Sequence, residues 1–219
     1  MSKQEAYDFF CQMLENNSRI AKEKQELLNQ HTSGQKPKVA LITCSDSRMP
    51  LALYGNLEDM MGNVFVGKDI GNTSSDSDAV IDYAIQHLKI PVVVILGHTD
   101  CGAVKAATGN FDDETEAIKK RLSTIKNTFT DINDHIKCVE DNVNDSVEKI
   151  TKQYAQQINS DSLCVVGCVC DTSGAYDENQ CSTTYIININ GQKDRQTLAG
   201  HELIKNITNT QLKENIFTK

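Results

Sequence analysis

The sequence has no basic run: 22 lysines and arginines are scattered against 30 acidic residues, for a formal net charge of −8. That balance repels polyanions, so nucleic acid and an anionic membrane surface are excluded as main partners. No apolar run is long enough to span a bilayer either. Residues 1–8 have no long apolar core, so no signal peptide is expected and a cytoplasmic location follows by default. In that compartment the 8 cysteines read as reduced thiols and metal ligands, not as disulfides. With 39% hydrophobic and 24% charged residues, the chain can build one domain over residues 1–219 around a sizeable core.

Two short motifs organise the rest. Cys44-Ser45-Asp46-Ser47-Arg48 follows the apolar run Val39-Ala40-Leu41-Ile42, and His98-Thr99-Asp100-Cys101 follows Val92-Val93-Val94-Ile95-Leu96. Short β-branched runs bounded by turn residues read as buried parallel strands. Both motifs therefore sit at strand ends, where open α/β sheets place their ligand sites. Cys44, His98 and Cys101 would supply two thiolates and an imidazole, a set that suits zinc. Asp46 and Arg48 lie beside one of these ligands.

At these residues the chain resembles the β-class carbonic anhydrases, whose signature pairs Cys-x-Asp-x-Arg with a later His-x-x-Cys. The resemblance continues through Asn63-Val64-Phe65-Val66, Gly71-Asn72, Val80-Ile81-Asp82-Tyr83-Ala84, Val165-Val166-Gly167 and Thr172-Ser173-Gly174, covering roughly residues 36–191. It implies a mostly parallel central sheet with flanking helices, one zinc per chain on Cys44, His98 and Cys101, and a catalytic pair in Asp46 and Arg48. It also implies reversible hydration of carbon dioxide to bicarbonate and a proton, through hydroxide that the zinc makes available. Two thiolates cancel the double charge of the ion, so activity is expected to favour alkaline pH. Asp46 would accept a hydrogen bond from that hydroxide, and Arg48 would keep Asp46 off the metal. Lys68, Gly71 and Gly102 fall where the family lines its substrate cleft. Asp69 and Ile70 depart from the family pattern, which keeps hydrolysis of carbonyl sulfide or carbon disulfide open as an alternative. A non-catalytic zinc protein is the other; an intact Asp46–Arg48 pair argues against it.

Taken in order, residues 3–30 read as a helix with Phe9, Phe10, Met13, Leu14, Ile20, Leu27 and Leu28 on one stripe. Within an N-terminal arm of residues 1–35, that stripe is expected to embrace a second subunit, as in the family, giving a homodimer or tetramer. Strand 38–43 then delivers Cys44. Residues 49–61 are expected to be helical, 64–66 a strand, and 79–88 a helix capped by the Ser and Asp residues of 73–78. Pro91 opens the next strand, and Cys101 begins a helix whose N-terminus favours a thiolate. Residues 109–136 read as a polar, family-variable surface insert with a helix at 114–129. A helix over 140–158, strands over 162–170 and 183–190, the latter at an edge, and a C-terminal extension (192–219) that is helical over 195–217 complete the chain.

Other cysteines and histidines are weighed against this site. His135-Ile136-Lys137-Cys138 repeats the His-x-x-Cys spacing but follows no buried strand and has no partner motif. Cys164, Cys168 and Cys170 share one face of a strand by period two and read as buried structural thiols. Cys11, Cys181, His31, His87 and His201 carry no signal.

Overall fold

A computed structural model describes residues 2–207. Two helices, α1 (Lys3–Glu23) and α2 (Gln25–Gln30), precede strand β1 (Val39–Cys44). The chain continues through α3 (Leu57–Met60), β2 (Val64–Asp69), α4 (Asp78–Asp82), β3 (Val92–His98), α5 (Gly102–Thr108) and α6 (Glu116–Lys126). Then follow α7 (His135–Gln153), α8 (Ala155–Asn159), β4 (Cys164–Cys170), β5 (Thr184–Ile189), α9 (Arg195–Ala199) and α10 (Glu202–Lys205).

The strands form one five-stranded sheet in the order β2-β1-β3-β4-β5. All neighbours run parallel except β5, which pairs antiparallel with β4 at the edge. The chain leaves β1 to one side for β2 and to the other for β3, so the sheet has its topological switch point between β1 and β3. In open α/β sheets the crevice outside the carboxyl ends at such a point is where ligands bind. Cys44 ends β1 and His98 ends β3.

Burial follows strand alternation. Ala40, Ile42, Val93 and Ile95 pack on one face with Ile81 of α4, Val104 of α5, Ile125 of α6 and Val143 of α7. On the opposite face Leu41, Leu96 and Val166 meet Met49, Leu198 of α9 and Ile204 of α10. Cys164, Cys168 and Cys170 join that second apolar cluster, as period two anticipates for structural thiols.

Several elements differ from the sequence reading. Helix 3–30 breaks at Lys24, whose ammonium pairs with Glu58 Oε1 of α3 at 2.5 Å. Residues 49–61 are not one helix. A single 3-10 turn spans Leu51–Leu53, and after Gly55 the chain restarts at Asn56, which accepts from Asp59 N (2.9 Å) while Asp59 accepts from Asn56 N (3.2 Å). In helix 79–88 the second half, Tyr83–His87, widens into a π turn. Ser77 does not cap α4; its hydroxyl donates to Asp69 Oδ2 at 2.7 Å instead. The helix expected over 140–158 starts earlier, at His135, because Asp134 accepts from Lys137 N at 3.0 Å and caps it. The C-terminal helix over 195–217 is two short helices, divided at Gly200 and His201, and residues 208–217 of that expectation lie outside the described residues.

The insert over 109–136 is a larger correction. Its helix α6 buries Leu122 and Ile125 in the core beside the carboxyl ends of the strands, so it is a wall of the molecule and not a surface addition. No helix among the described residues is long and apolar enough to cross a membrane.

Candidate metal centre

Each of the three donors is delivered by a strand end or a helix start. Cys44 closes β1, His98 closes β3, and Cys101 is the N-cap of α5. Their donor atoms lie within 4.8 Å of one another, and all three residues are buried. They are the only group of His, Cys, Asp and Glu among the described residues that could hold a metal ion. The His135–Cys138 pair belongs to α7 and takes no part.

The histidine is already oriented. His98 Nδ1 lies 2.9 Å from the Thr99 carbonyl, which can only accept, so the proton sits on Nδ1 and the Nε2 lone pair points toward the sulfurs. That Nε2 is fully buried and has no hydrogen-bond partner. An orphaned buried nitrogen facing two thiols is costly unless a cation occupies the gap. The donor set fits zinc, a borderline-soft ion bound by thiolate and imidazole.

The two thiols are shifted in opposite directions. The neighbouring Cys101 thiol, with the Gly71 N–H that Cys44 Sγ accepts at 3.4 Å, outweighs burial and holds the Cys44 thiol below its ordinary value. Cys101 is in turn pushed up by its hydrogen bond with Cys44, by burial and by the Cys44 charge, while the N–H groups of Val104 and Ala103 at the start of α5 pull the other way. A divalent cation between the two sulfurs would favour the thiolate form of both.

Asp46 and Arg48 lie at the rim. Arg48 Nε donates to Asp46 Oδ1 at 3.0 Å and Nη2 donates to Oδ2 at 2.8 Å. This grip holds the Asp46 carboxyl well below the usual carboxylate range. Asp46 Oδ2 is 3.8 Å from His98 Nε2, close enough to be a rival ligand.

Sequence reading missed four participants. Asp100, whose backbone takes the left-handed conformation (φ 53°), accepts from Arg48 Nη1 at 3.1 Å, and its carbonyl accepts from Nη2 at 3.0 Å. Asp171, fully buried, accepts from Thr99 Oγ1 at 2.9 Å and from the N–H groups of Ala175, Tyr176 and Asp177, which anchors the residue beside His98. Asn142 donates to the Gly71 carbonyl at 2.7 Å. Arg121 of α6 meets Asp69 at 3.4 Å. Only the His-Thr-Asp-Cys motif contained a hint, for Asp100; the others come from distant stretches without a motif.

The three residues assigned to a substrate cleft have distinct surroundings. Lys68 Nζ donates to the Met49 carbonyl at 2.8 Å, bracing the loop after Arg48. Gly71 donates its N–H to Cys44 Sγ at 3.4 Å. Gly102 is exposed on the first turn of α5, and a Cβ there would meet nothing within 4 Å.

Comparison with known proteins gives consistent matches. The carbonic anhydrase family profile matches residues 39–175. A carbonic anhydrase of Emericella nidulans is 41% identical over 86 residues, 37% of this chain and 37% of the relative. One from Saccharomyces cerevisiae is 37% identical over 94 residues, covering 41% of this chain and 40% of the relative. In these matches the chain spans well under half the length of its curated relatives. The fold is that of the β-carbonic anhydrase CafA of Aspergillus fumigatus, with a TM-score of 0.69 at 23% identity over 98% of this chain and 100% of the other. One of two tetrameric β-carbonic anhydrases of Sordaria macrospora superposes with a TM-score of 0.67 at 24% identity, covering 83% and 98%.

Proposed function

The chain belongs to the carbonic anhydrase family, and we propose that it is a zinc lyase that reversibly hydrates carbon dioxide to bicarbonate and a proton. One observation carries the reading: the buried Cys44–His98–Cys101 cluster with the Asp46–Arg48 pair at its edge. Cys44, His98 and Cys101 would hold one zinc. When bound, zinc makes hydroxide available near neutral pH, chemistry for which three-histidine carbonic anhydrases are the standard example.

The remaining work falls to this chain's side chains. Asp46, ionised by its partner, would accept a hydrogen bond from a hydroxyl at the metal centre and orient it toward the substrate. Arg48 occupies both Asp46 oxygens and thereby keeps the carboxylate from closing the metal centre. Asp100 fixes Arg48 from the other side. The Gly71 N–H draws off part of the negative charge that collects on Cys44. Gly102 would leave room for a small substrate, whereas Lys68, one residue before Asp69 on β2, faces away from Cys44 and braces the Met49 carbonyl. Carbon dioxide is preferred over the sulfur analogues that Asp69 and Ile70 left open, because the family profile and the curated relatives are carbonic anhydrases.

Assembly as a dimer, or a tetramer as in the Sordaria macrospora relatives, is part of the proposal. No residue of α1 is buried, and Tyr7, Phe9, Phe10, Met13 and Leu14 are exposed together along it. Covering each such side chain contributes about 1.5–3 kcal/mol, which favours a second copy. A cytoplasmic setting suits the chain, since all of its cysteines are free thiols. Stopped-flow hydration assays on zinc-loaded protein test the activity: a rate above buffer that a chelator removes is expected, and no rate with full zinc would refute it.

A further inference from the structure

We propose that Arg121 is a positioning residue of the metal centre, acting through Asp69 and the backbone of Gly71. The inference rests on the metal-site reading above. Cys44 and Asp69 are register partners of β1 and β2, so their side chains leave the sheet on the same face. A carboxylate only 16% exposed therefore stands next to a buried thiol that must become anionic to bind metal. Two negative charges at neighbouring positions repel strongly where water is scarce.

Arg121 supplies the counter-charge. Its side chain, 12% exposed, brings Nη1 to 3.4 Å from Asp69 Oδ2 and donates to Thr73 Oγ1. Ser77 Oγ donates to the same Asp69 oxygen at 2.7 Å. One turn along α6, Ile125 closes over Gly71, where a Cβ would lie 2.5 Å from Ile125 Cδ1 and φ is +80°. Asn142 ties down the Gly71 carbonyl at 2.7 Å. The segment 69–73 is thus pinned at both ends and in the middle, and α6 supplies three of the contacts. What that segment offers the metal centre is the Gly71 N–H on Cys44 Sγ, at 3.4 Å, next to the Ser45 N–H that Asp69 O accepts at 2.7 Å. Groups that orient ligands from one layer out commonly change metal affinity 10–100-fold when removed, as an order of magnitude.

A merely structural ion pair would lower the melting temperature without touching the metal. The test therefore follows metal, not activity, in the full chain: zinc release to a colorimetric chelator, and the thiolate-to-metal absorption bands of the cobalt(II)-loaded protein. Arg121→Gln is expected to release zinc on the order of tenfold faster and to shift the cobalt bands. Asp69→Asn combined with Arg121→Gln removes both charges and should return the release rate most of the way to wild type. Wild-type release with unchanged bands in Arg121→Gln overturns the proposal, as does a double variant no slower than the single one. Should Arg121→Gln not fold, two further variants replace it. Arg121→Lys keeps the charge without the fork, so it should stay near wild type, and Arg121→Met, which removes the charge and keeps an apolar stem, is the arm that decides: faster release and shifted bands uphold the proposal, and wild-type values overturn it. A wild-type chain that takes up neither metal refutes the metal centre itself, and this inference with it.

Discussion

Arg48 holds Asp46 by both carboxylate oxygens, at 3.0 and 2.8 Å, while Asp46 Oδ2 stands 3.8 Å from the unpartnered Nε2 of His98. One carboxylate is thus placed between a guanidinium and a metal ligand. In the proposed mechanism, whichever neighbour prevails would decide whether the metal centre is open or closed.

Arg48→Ala should release Asp46 to close the centre without loss of zinc. Hydration near neutral pH is expected to fall roughly 10–100-fold. More hydroxide at higher pH competes with the carboxylate, so part of the rate should return under alkaline conditions. Arg48→Lys should rescue incompletely, because an ammonium lacks the planar fork. Rate against pH, with zinc measured on the same samples, decides; wild-type rates throughout would reduce the pair to a structural role.

Asp100→Asn tests the outer grip on Arg48. The carboxylate is half exposed, with a side chain 48% accessible, and the Asp100 carbonyl still accepts from Nη2. A loss of only a few-fold at neutral pH is expected, well short of the Arg48→Ala effect. A loss as large as that of Arg48→Ala would show that Arg48 depends on Asp100 more than on Asp46.

Cys44→Ser, His98→Ala and Cys101→Ser should each lower zinc content and abolish hydration. Elemental analysis of the folded variants is the measurement. Full occupancy in all three would refute the ligand set.

Asp171→Asn should destabilise the fold by about 2–3 kcal/mol at neutral pH, since it replaces a charged acceptor of buried donors. Burial raises the Asp171 pKa, but the N–H groups of Tyr176, Ala175 and Asp177 and the Thr99 hydroxyl outweigh it, and the net shift is downward. A depressed folded pKa means the stabilisation is present above the ordinary carboxylate value of about 4 and is lost as pH falls below it. Urea unfolding at several pH values should therefore show a shallower acid decline in the variant. Equal slopes would mean that Asp171 has the same pKa folded and unfolded.

Deleting residues 1–30 should dissociate the assembly, with light scattering as the readout. A full-length protein that is monomeric and fully active would refute the subunit-embracing role of α1.

How much of this was legible beforehand follows from what local sequence encodes. Short β-branched runs mark β1 and β3 as buried strands whose ends carry Cys44 and His98, Cys101 starts the next helix three residues on, and the resemblance of the two motifs to the family signature joined the three as one cluster. The bidentate Asp46–Arg48 pair is two residues apart and equally local. Tertiary structure alone decided the rest. Helix α6 reads as polar surface because its buried positions, Leu122 and Ile125, are outnumbered by charged neighbours, yet packing turns Arg121 inward to Asp69. Asp171 and Asn142 become supports only when β4 and α7 are laid beside the motif turns, for their partners are backbone and hydroxyl groups from distant stretches. Periodicity fixes which way a residue faces along its own element. Which charge it then meets is set by how the elements pack, and here that packing chose the groups standing behind the metal ligands.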